Sequence, residues 1–214
     1  MLVLGVAFAT GTAHAQSNDG DWVRLGDELV ARGDLSSLER ALDAYAHVET
    51  SGAQYVLALQ RMAWVDFLLD RTTDAIPRYV ALVDRLDAQN ASGAVRDDAL
   101  VMLAAMFADS DWDRDGTPDT SSVLERLADP ALVPQDRAWL LELHFATARA
   151  LYLSSRDPEA IVLLGYALAR WPIPTDRTPI AAACRRHRVR PTTLHVEAPA
   201  TRRAADTICA RWVP

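Results

Sequence analysis

The sequence contains no lysine, because all 22 of its basic residues are arginine. This absence excludes enzymes that form a Schiff base through lysine, and nucleotide-binding loops that place a lysine at the phosphates. The metalloprotease pattern H-E-x-x-H, the hydrolase pattern G-x-S-x-G and a glycine-rich phosphate loop are also missing. The sequence therefore predicts a chain that is not an enzyme and that needs none of the cofactors these motifs bind.

Long apolar runs are missing beyond the N-terminus. After Gln16 no apolar stretch approaches the roughly 18 residues of a membrane-spanning helix, so no transmembrane segment is expected. Residues 1–15 combine a short apolar run with an A-x-A cleavage pattern at 13–15, which predicts a signal peptide and export to the periplasm or cell envelope. No arginine precedes Arg24, whereas a signal peptide begins with a positive charge, so either the true start lies upstream of Met1 or this segment is a buried strand or helix.

What the chain does have is helical periodicity. Half of its residues are hydrophobic, and abundant alanine and leucine favour helices. Three stretches, starting near Ala41, Ala75 and Ala160, place an alanine, an aliphatic residue and a large residue on one stripe of a helix. Ala41 and Ala75 are 34 residues apart, and so are Tyr45 and Tyr79. A repeat of this length indicates stacked helical units.

The three stretches resemble the second helix of the tetratricopeptide repeat (TPR), a family with a period of about 34 residues. The resemblance implies an all-α fold of antiparallel helix pairs, stacked as an α-solenoid over residues 16–176. Ala75 and Ala160 are 85 residues apart, so an insertion is expected between them. The alternative is a non-repeating helical bundle.

The expected insertion lies in the third of four helix pairs, as an Asp-rich loop over residues 109–120. Ser122 and Glu125 predict a capping box at the start of a short helix after this loop. Asp157 is expected to cap the last helix, with Pro158 as its first residue. The predicted longer helices around the loop cover residues 95–108, 135–153 and 158–170.

The loop carries the sharpest local motif, D-x-D-x-D-G-x-x-D. Carboxylates at alternate positions before a glycine suit a hard cation, and the motif resembles the calcium loops of thrombospondin type 3 repeats and the first half of an EF-hand loop. The resemblance implies calcium ligands at Asp111, Asp113, Asp115 and Asp119. The bidentate glutamate of an EF-hand is replaced by Ser122. The alternative is a solvated turn whose Asp residues cap helix ends.

The C-terminal tail, 177–214, differs in character from the rest of the chain. It holds 8 arginines against two acids, whereas residues 1–176 hold 14 arginines against 27 acids. Helical periodicity stops near Arg177, so an irregular basic tail is expected, either a segment that contacts an anionic surface or a frameshifted or truncated repeat. In an oxidising compartment, a disulfide between Cys184 and Cys209 would tie the tail down. Nucleic acid is not an expected partner, because the protein is predicted to be exported and no aromatic residues interleave the arginines.

The TPR resemblance implies a scaffold or adaptor that binds a protein or peptide on the concave surface of the first helices. Aromatic and arginine side chains are the usual anchors of such surfaces. Two alternatives stay open: a calcium-responsive binding module that uses the Asp-rich loop, and a cell-wall-acting enzyme of unrecognised type. The candidate partner-binding residues are Arg61, Trp64, Phe67, Phe145, Arg149 and Tyr152.

Overall fold

The computed structural model describes residues 18–117, 119–171, 184 and 199–212, with side chains of the last helix at 203–207, 209 and 210. In these residues every regular element is a helix and no strand occurs. None of the described helices is both long enough and apolar enough to cross a membrane. The predicted signal peptide, 1–15, lies outside the described residues. The helices are α1 (Asp19–Val30), α2 (Leu35–Ala46), α3 (Tyr55–Leu68), α4 (Thr72–Ala88), α5 (Ala94–Ala108), α6 (Val123–Ala128), α7 (Leu140–Leu153), α8 (Asp157–Arg170) and α9 (Pro199–Trp212).

The absence of strands from the described residues confirms the all-helical prediction. The helices pack in neighbouring pairs. Helix α1 packs against α2, α3 against α4, and α7 against α8. Helix α5 packs between α4 and α7, while the short α6 touches α5 and α8. We call α1, α3, α5 and α7 the first helices, and α2, α4 and α8 the second helices.

The alanines that define the sequence pattern lie at the contacts between helices. Ala41, Ala75 and Ala160 are fully buried in α2, α4 and α8. A methyl side chain at these points lets the backbones of paired helices approach closely. Tyr45 and Tyr79, four residues further on, are buried in the same core. The residues whose spacing predicts helices in the sequence are therefore also residues of the shared core.

The turns of the second and last pairs have the same geometry, 85 residues apart. Each consists of three residues and contains one residue in the left-handed region, Asp70 (φ 56°) and Ser155 (φ 62°). In both, the amide of the following arginine donates to the carbonyl five residues earlier, with N–O distances of 2.9 Å. This bond closes a Schellman motif, which satisfies carbonyls left free at a helix end. It places Arg71 and Arg156 in the cap positions of α4 and α8.

The expected cap of α8 is therefore wrong by one residue. Asp157 is the first helical residue and Pro158 the second. The reason is that the Schellman bond already holds Arg156 at the point where the chain changes direction.

The region of the insertion follows the prediction except at one boundary. The capping box at Ser122 and Glu125 is confirmed, because each side chain accepts a hydrogen bond from the other residue's amide. Helix α7, expected from residue 135, begins at Leu140. Just before it, the buried Trp139 donates from Nε1 to Asp84 of α4 at 2.8 Å. This tertiary contact anchors the connector to α4 in a non-helical path.

The irregular tail expected after residue 177 is wrong for Pro199–Trp212, which form α9 and pack against α8. Ala205 and Cys209, four residues apart on one helical face, are fully buried. Cys209 is joined to Cys184 by a disulfide bond. The arginine cluster at 185–190 lies outside the described residues.

Candidate functional site

The exposed apolar side chains are concentrated on the first helices. Among the described residues, seven large apolar side chains are exposed, and six of them belong to first helices. The seventh is Leu35, the first residue of α2. We call the six the first-helix apolar set: Leu25, Trp64, Leu68, Val95, Val101 and Leu153.

One member of this set, Trp64, belongs to an aromatic pair on α3. The rings of Trp64 and Phe67 stack at a centroid distance of 5.7 Å and an interplanar angle of 27°. Trp64 is 38% exposed, whereas Phe67 is half-buried and packs against the core. Leu68, one residue further along, is exposed. The partly exposed indole ring of Trp64 thus stacks on a phenyl ring that belongs to the core packing.

Helix α7 repeats this pattern 85 residues later. Leu153 corresponds to Leu68 and is 72% exposed. Arg149, at the place of Trp64, is exposed. Phe145 and Tyr152 are half-buried and pack against the core. Of the residues predicted on α7, only Arg149 is therefore a fully surface-facing side chain.

The predicted binding residue Arg61 forms an ion pair with another helix of the same molecule. Its Nε lies 3.1 Å from Oδ1 of Asp27 on α1. The hydroxyl of Tyr45 donates to the same carboxylate at 2.7 Å, so three helices meet at one aspartate. Burial, and then the bond to Asp27, raise the pKa of Tyr45. Arg61 therefore holds α3 against α1 and has less freedom to bind a partner than its sequence position indicates.

The Asp-rich loop brings three of its four predicted calcium ligands together. Carboxylate oxygens of Asp111, Asp113 and Asp115 lie within 4.8 Å of one another. Asp111 accepts from the amide of Gly116 at 3.1 Å, where a φ of 86° suits glycine. The other oxygen of Asp111 is buried and has no hydrogen-bond partner.

Hydrogen bonds also set the charge of this cluster. Asp115 accepts from the amide of Thr117 at 2.8 Å and from its hydroxyl at 2.6 Å. These bonds stabilise the ionised carboxylate and lower the pKa of Asp115. Asp115 is therefore held in its ionised form at neutral pH.

The fourth predicted ligand, Asp119, is not brought into the cluster. Its Oδ2 accepts from the amide of Trp112 at 2.8 Å and lies 3.4 Å from Nη1 of Arg126. A cation already neutralises this carboxylate, which explains why it stands apart. Of the four predicted ligands, the structure therefore places three carboxylates close together.

Arg126 is a buried anchor that the sequence pattern did not reveal. It is 4% exposed, and its Nη2 donates to the carbonyls of Phe107 at 2.9 Å and Asp109 at 3.0 Å. Arg156 adds a second guanidinium at the carbonyl of Ala108. Two cations therefore lie at the C-terminal end of α5, where the helix dipole is negative. They fix the point from which the Asp-rich loop departs.

A further arginine connects the loop to the aromatic pair. Nη2 of Arg114 lies 3.1 Å from Oδ2 of Asp109, and its Nε lies 4.0 Å from Oδ1 of Asp70. The guanidinium carbon is 6.0 Å from the ring centroid of Phe67, a cation–π distance. The Asp-rich loop and the C-terminal end of α3 therefore form one continuous surface.

His144 of α7 is buried against the C-terminal end of α8. It is 1% exposed, and its Nδ1 is 2.8 Å from the carbonyl of Leu140. The ring packs against Tyr166 and Trp171, and Nε2 is buried without a hydrogen-bond partner. Burial lowers the pKa of His144, and the charge of Arg170 lowers it further. The neutral ring is therefore a core residue in this fold.

Among the residues that the sequence prediction missed are Leu68, Leu153 and Arg126. The two leucines were detectable, because the 85-residue offset that aligns Ala75 with Ala160 also aligns them. No sequence pattern indicated that Arg126 is buried, because the carbonyls that accept its hydrogen bonds lie at the end of α5 and approach it only in the folded chain. Comparisons of the chain with protein-family models, curated proteins and solved structures gave no match.

Proposed function

We propose that this chain is a non-catalytic scaffold of the TPR kind, located in the periplasm or cell envelope, that holds a protein or peptide against its first helices. The observation that carries the proposal is the segregation of exposed apolar side chains to those helices. Neighbouring exposed apolar side chains, such as Trp64 and Leu68 four residues apart on α3, are typical of interaction surfaces. The matching turns at Asp70 and Ser155 support a repeat architecture.

The cellular location rests on two further observations. The predicted signal peptide at 1–15 favours export. The disulfide between Cys184 and Cys209 is of a kind that persists in oxidising compartments. Both agree with a periplasmic or envelope protein.

Affinity capture from an envelope extract tests the scaffold function with a matched pair of variants. The first carries Trp64→Ala, Leu68→Ala and Leu153→Ala. The second carries Leu35→Ala, which removes an exposed apolar side chain from a second helix. We expect a partner that binds the unmodified chain and the Leu35 variant but is lost from the triple variant. Equal capture by all three chains would contradict the proposal.

A calcium-responsive binding module is the second candidate, and the carboxylate cluster favours it. Three oxygens within 4.8 Å, with one oxygen of Asp111 buried and unpartnered, suit a hard cation. Three protein ligands are fewer than calcium's usual six to eight, so water or backbone oxygens would complete the shell. Calcium would then neutralise the loop beside the aromatic pair and alter what that surface binds.

Thermal unfolding in calcium and in chelator tests this candidate. A ligand that binds only the folded state raises the melting temperature by mass action. We expect the rise in the unmodified chain and in Asp119→Asn, because Asp119 is already paired with Arg126. The rise should vanish in Asp113→Asn/Asp115→Asn. A chain whose melting temperature is the same in calcium and chelator would exclude the calcium-responsive module.

A further inference from the structure

The surface formed by α3 and the Asp-rich loop combines apolar and acidic character. Trp64 and Leu68 are exposed on α3, and Phe67 between them contacts Arg114 of the loop. From residue 109 to 115 the chain holds four aspartates and one arginine. The aromatic pair, of which Trp64 is exposed, therefore borders a concentration of negative charge.

The one arginine of that segment is already neutralised. Arg114 is paired with Asp109 and lies 4.0 Å from Asp70, so it does not compensate the three clustered carboxylates. Asp111, Asp113 and Asp115 instead accept hydrogen bonds from neighbouring amides of the loop. No arginine pairs with them among the described residues. Their negative charges could therefore be neutralised by a cation that belongs to a partner molecule.

The surroundings of Arg114 indicate that this surface can bind a guanidinium group. Its guanidinium lies over the ring of Phe67 and between two carboxylates. Trp64 offers a second aromatic ring beside Phe67, and tryptophan is the best of the aromatic residues for a cation–π contact. A partner's arginine or lysine placed over Trp64 would meet an aromatic face and a nearby acidic cluster at once.

We propose that this surface recognises a partner segment in which arginine or lysine side chains stand beside apolar ones, an inference that rests on the proposed scaffold function. The apolar side chains contact Trp64 and Leu68, and the cationic ones are attracted by the carboxylates of the loop. Charge complementarity of this kind speeds association and selects against acidic segments. Because the loop is exposed, the attraction weakens as salt is added.

Binding of three fluorescent synthetic peptides to the full chain, followed by anisotropy in the presence of chelator, tests the inference. The first peptide alternates leucine with arginine, the second leucine with glutamate, and the third serine with arginine. We expect the leucine–arginine peptide to bind at least about tenfold more tightly than either of the others. We also expect its affinity to fall with rising salt.

Three variants locate the binding. Trp64→Ala and Asp113→Asn/Asp115→Asn should each weaken binding of the leucine–arginine peptide by about tenfold. The control, Asp43→Asn/Asp74→Asn, removes two exposed carboxylates from second helices and should bind like the unmodified chain. Circular dichroism melting of each variant confirms that the fold is retained.

Several results would overturn the inference. These are equal binding of the leucine–glutamate peptide, equal weakening by the control variant, or absence of binding by the leucine–arginine peptide. The scaffold function has a separate test, because a captured envelope protein that is lost with Trp64, Leu68 and Leu153 supports it in any case. If that protein stays bound to Asp113→Asn/Asp115→Asn, the scaffold stands and the cationic partner is excluded.

Discussion

Asp66 of α3 and Arg78 of α4 form an ion pair, with 2.8 Å between Oδ2 and Nε, at positions where the last helix pair carries two leucines. The 85-residue offset places Leu151 at the position of Asp66 and Leu163 at the position of Arg78, and both leucines are buried. The carboxylate is 2% exposed, and burial raises the pKa of Asp66 in spite of the neighbouring guanidinium. Two positions of paired helices are thus an ion pair in the second helix pair and buried leucines in the last.

This relationship predicts the outcome of exchanging the pair. Asp66→Leu/Arg78→Leu should leave the free energy of unfolding unchanged or raise it, because replacing a buried ion pair with leucines removes a desolvation cost. Arg78→Leu alone should lower it by about 1–3 kcal/mol, since a buried carboxylate is left without its partner. Urea unfolding at neutral pH measures both. A double variant less stable than the single one would refute the argument.

His144 should make stability depend on pH in a defined direction. Its pKa is lowered in the folded protein, so the unfolded chain binds more protons below the ordinary value of about 6.5. The contribution of neutral His144 is complete above that pH and is lost as pH falls toward the folded value, by at most about 1.4 kcal/mol per pH unit.

His144→Leu isolates this contribution, because Leu59 is the corresponding buried residue of α3. We expect the leucine variant to lose less stability than the unmodified chain between mildly alkaline and mildly acidic pH. Exchange of the exposed His47 for glutamine serves as control. Identical pH profiles for the unmodified chain and His144→Leu would show that the ring's protonation does not affect folding.

The close approach of the Tyr45 ring to α1 should require a glycine at position 26. A Cβ added at Gly26 would lie 2.3 Å from Cε1 of that ring. Gly26→Ala should therefore lower the free energy of unfolding by about 1–3 kcal/mol through overpacking, although alanine is the better helix former. Gly20→Ala in the same helix meets nothing within 4 Å and should be neutral or stabilising. Equal melting temperatures for the two variants would contradict the close contact.

Arg126 should hold the start of the Asp-rich loop. Arg126→Met leaves two carbonyls and the carboxylate of Asp119 without their donor, and we expect a loss of about 3 kcal/mol in unfolding free energy. Hydrogen exchange should accelerate in residues 109–117. Arg24→Met, which removes only exposed ion pairs, should change neither quantity. Unchanged exchange in the loop of Arg126→Met would show that another contact anchors it.

The helices and their order follow from the sequence, because the relevant physics is local. The spacing of Ala41 and Ala75 places apolar groups on one side of each helix, and the capping box at Ser122 acts over three residues. Such patterns depend only on neighbours along the chain. For the three longer helices predicted between residues 95 and 170, they gave the bounds to within a residue except where α7 begins, and they missed α9.

Long-range contacts determine what each polar or aromatic side chain does. Asp66 reads as a solvated acid and Arg126 as a surface cation, yet both are buried because a partner from another part of the chain compensates their charge. Trp64 and Phe67 are indistinguishable as anchors in the sequence, but packing buries half of one and leaves the other exposed. Periodicity assigns a residue to a helix, whereas desolvation and the available partners, which only the tertiary structure sets, decide whether it stabilises the core or meets a partner.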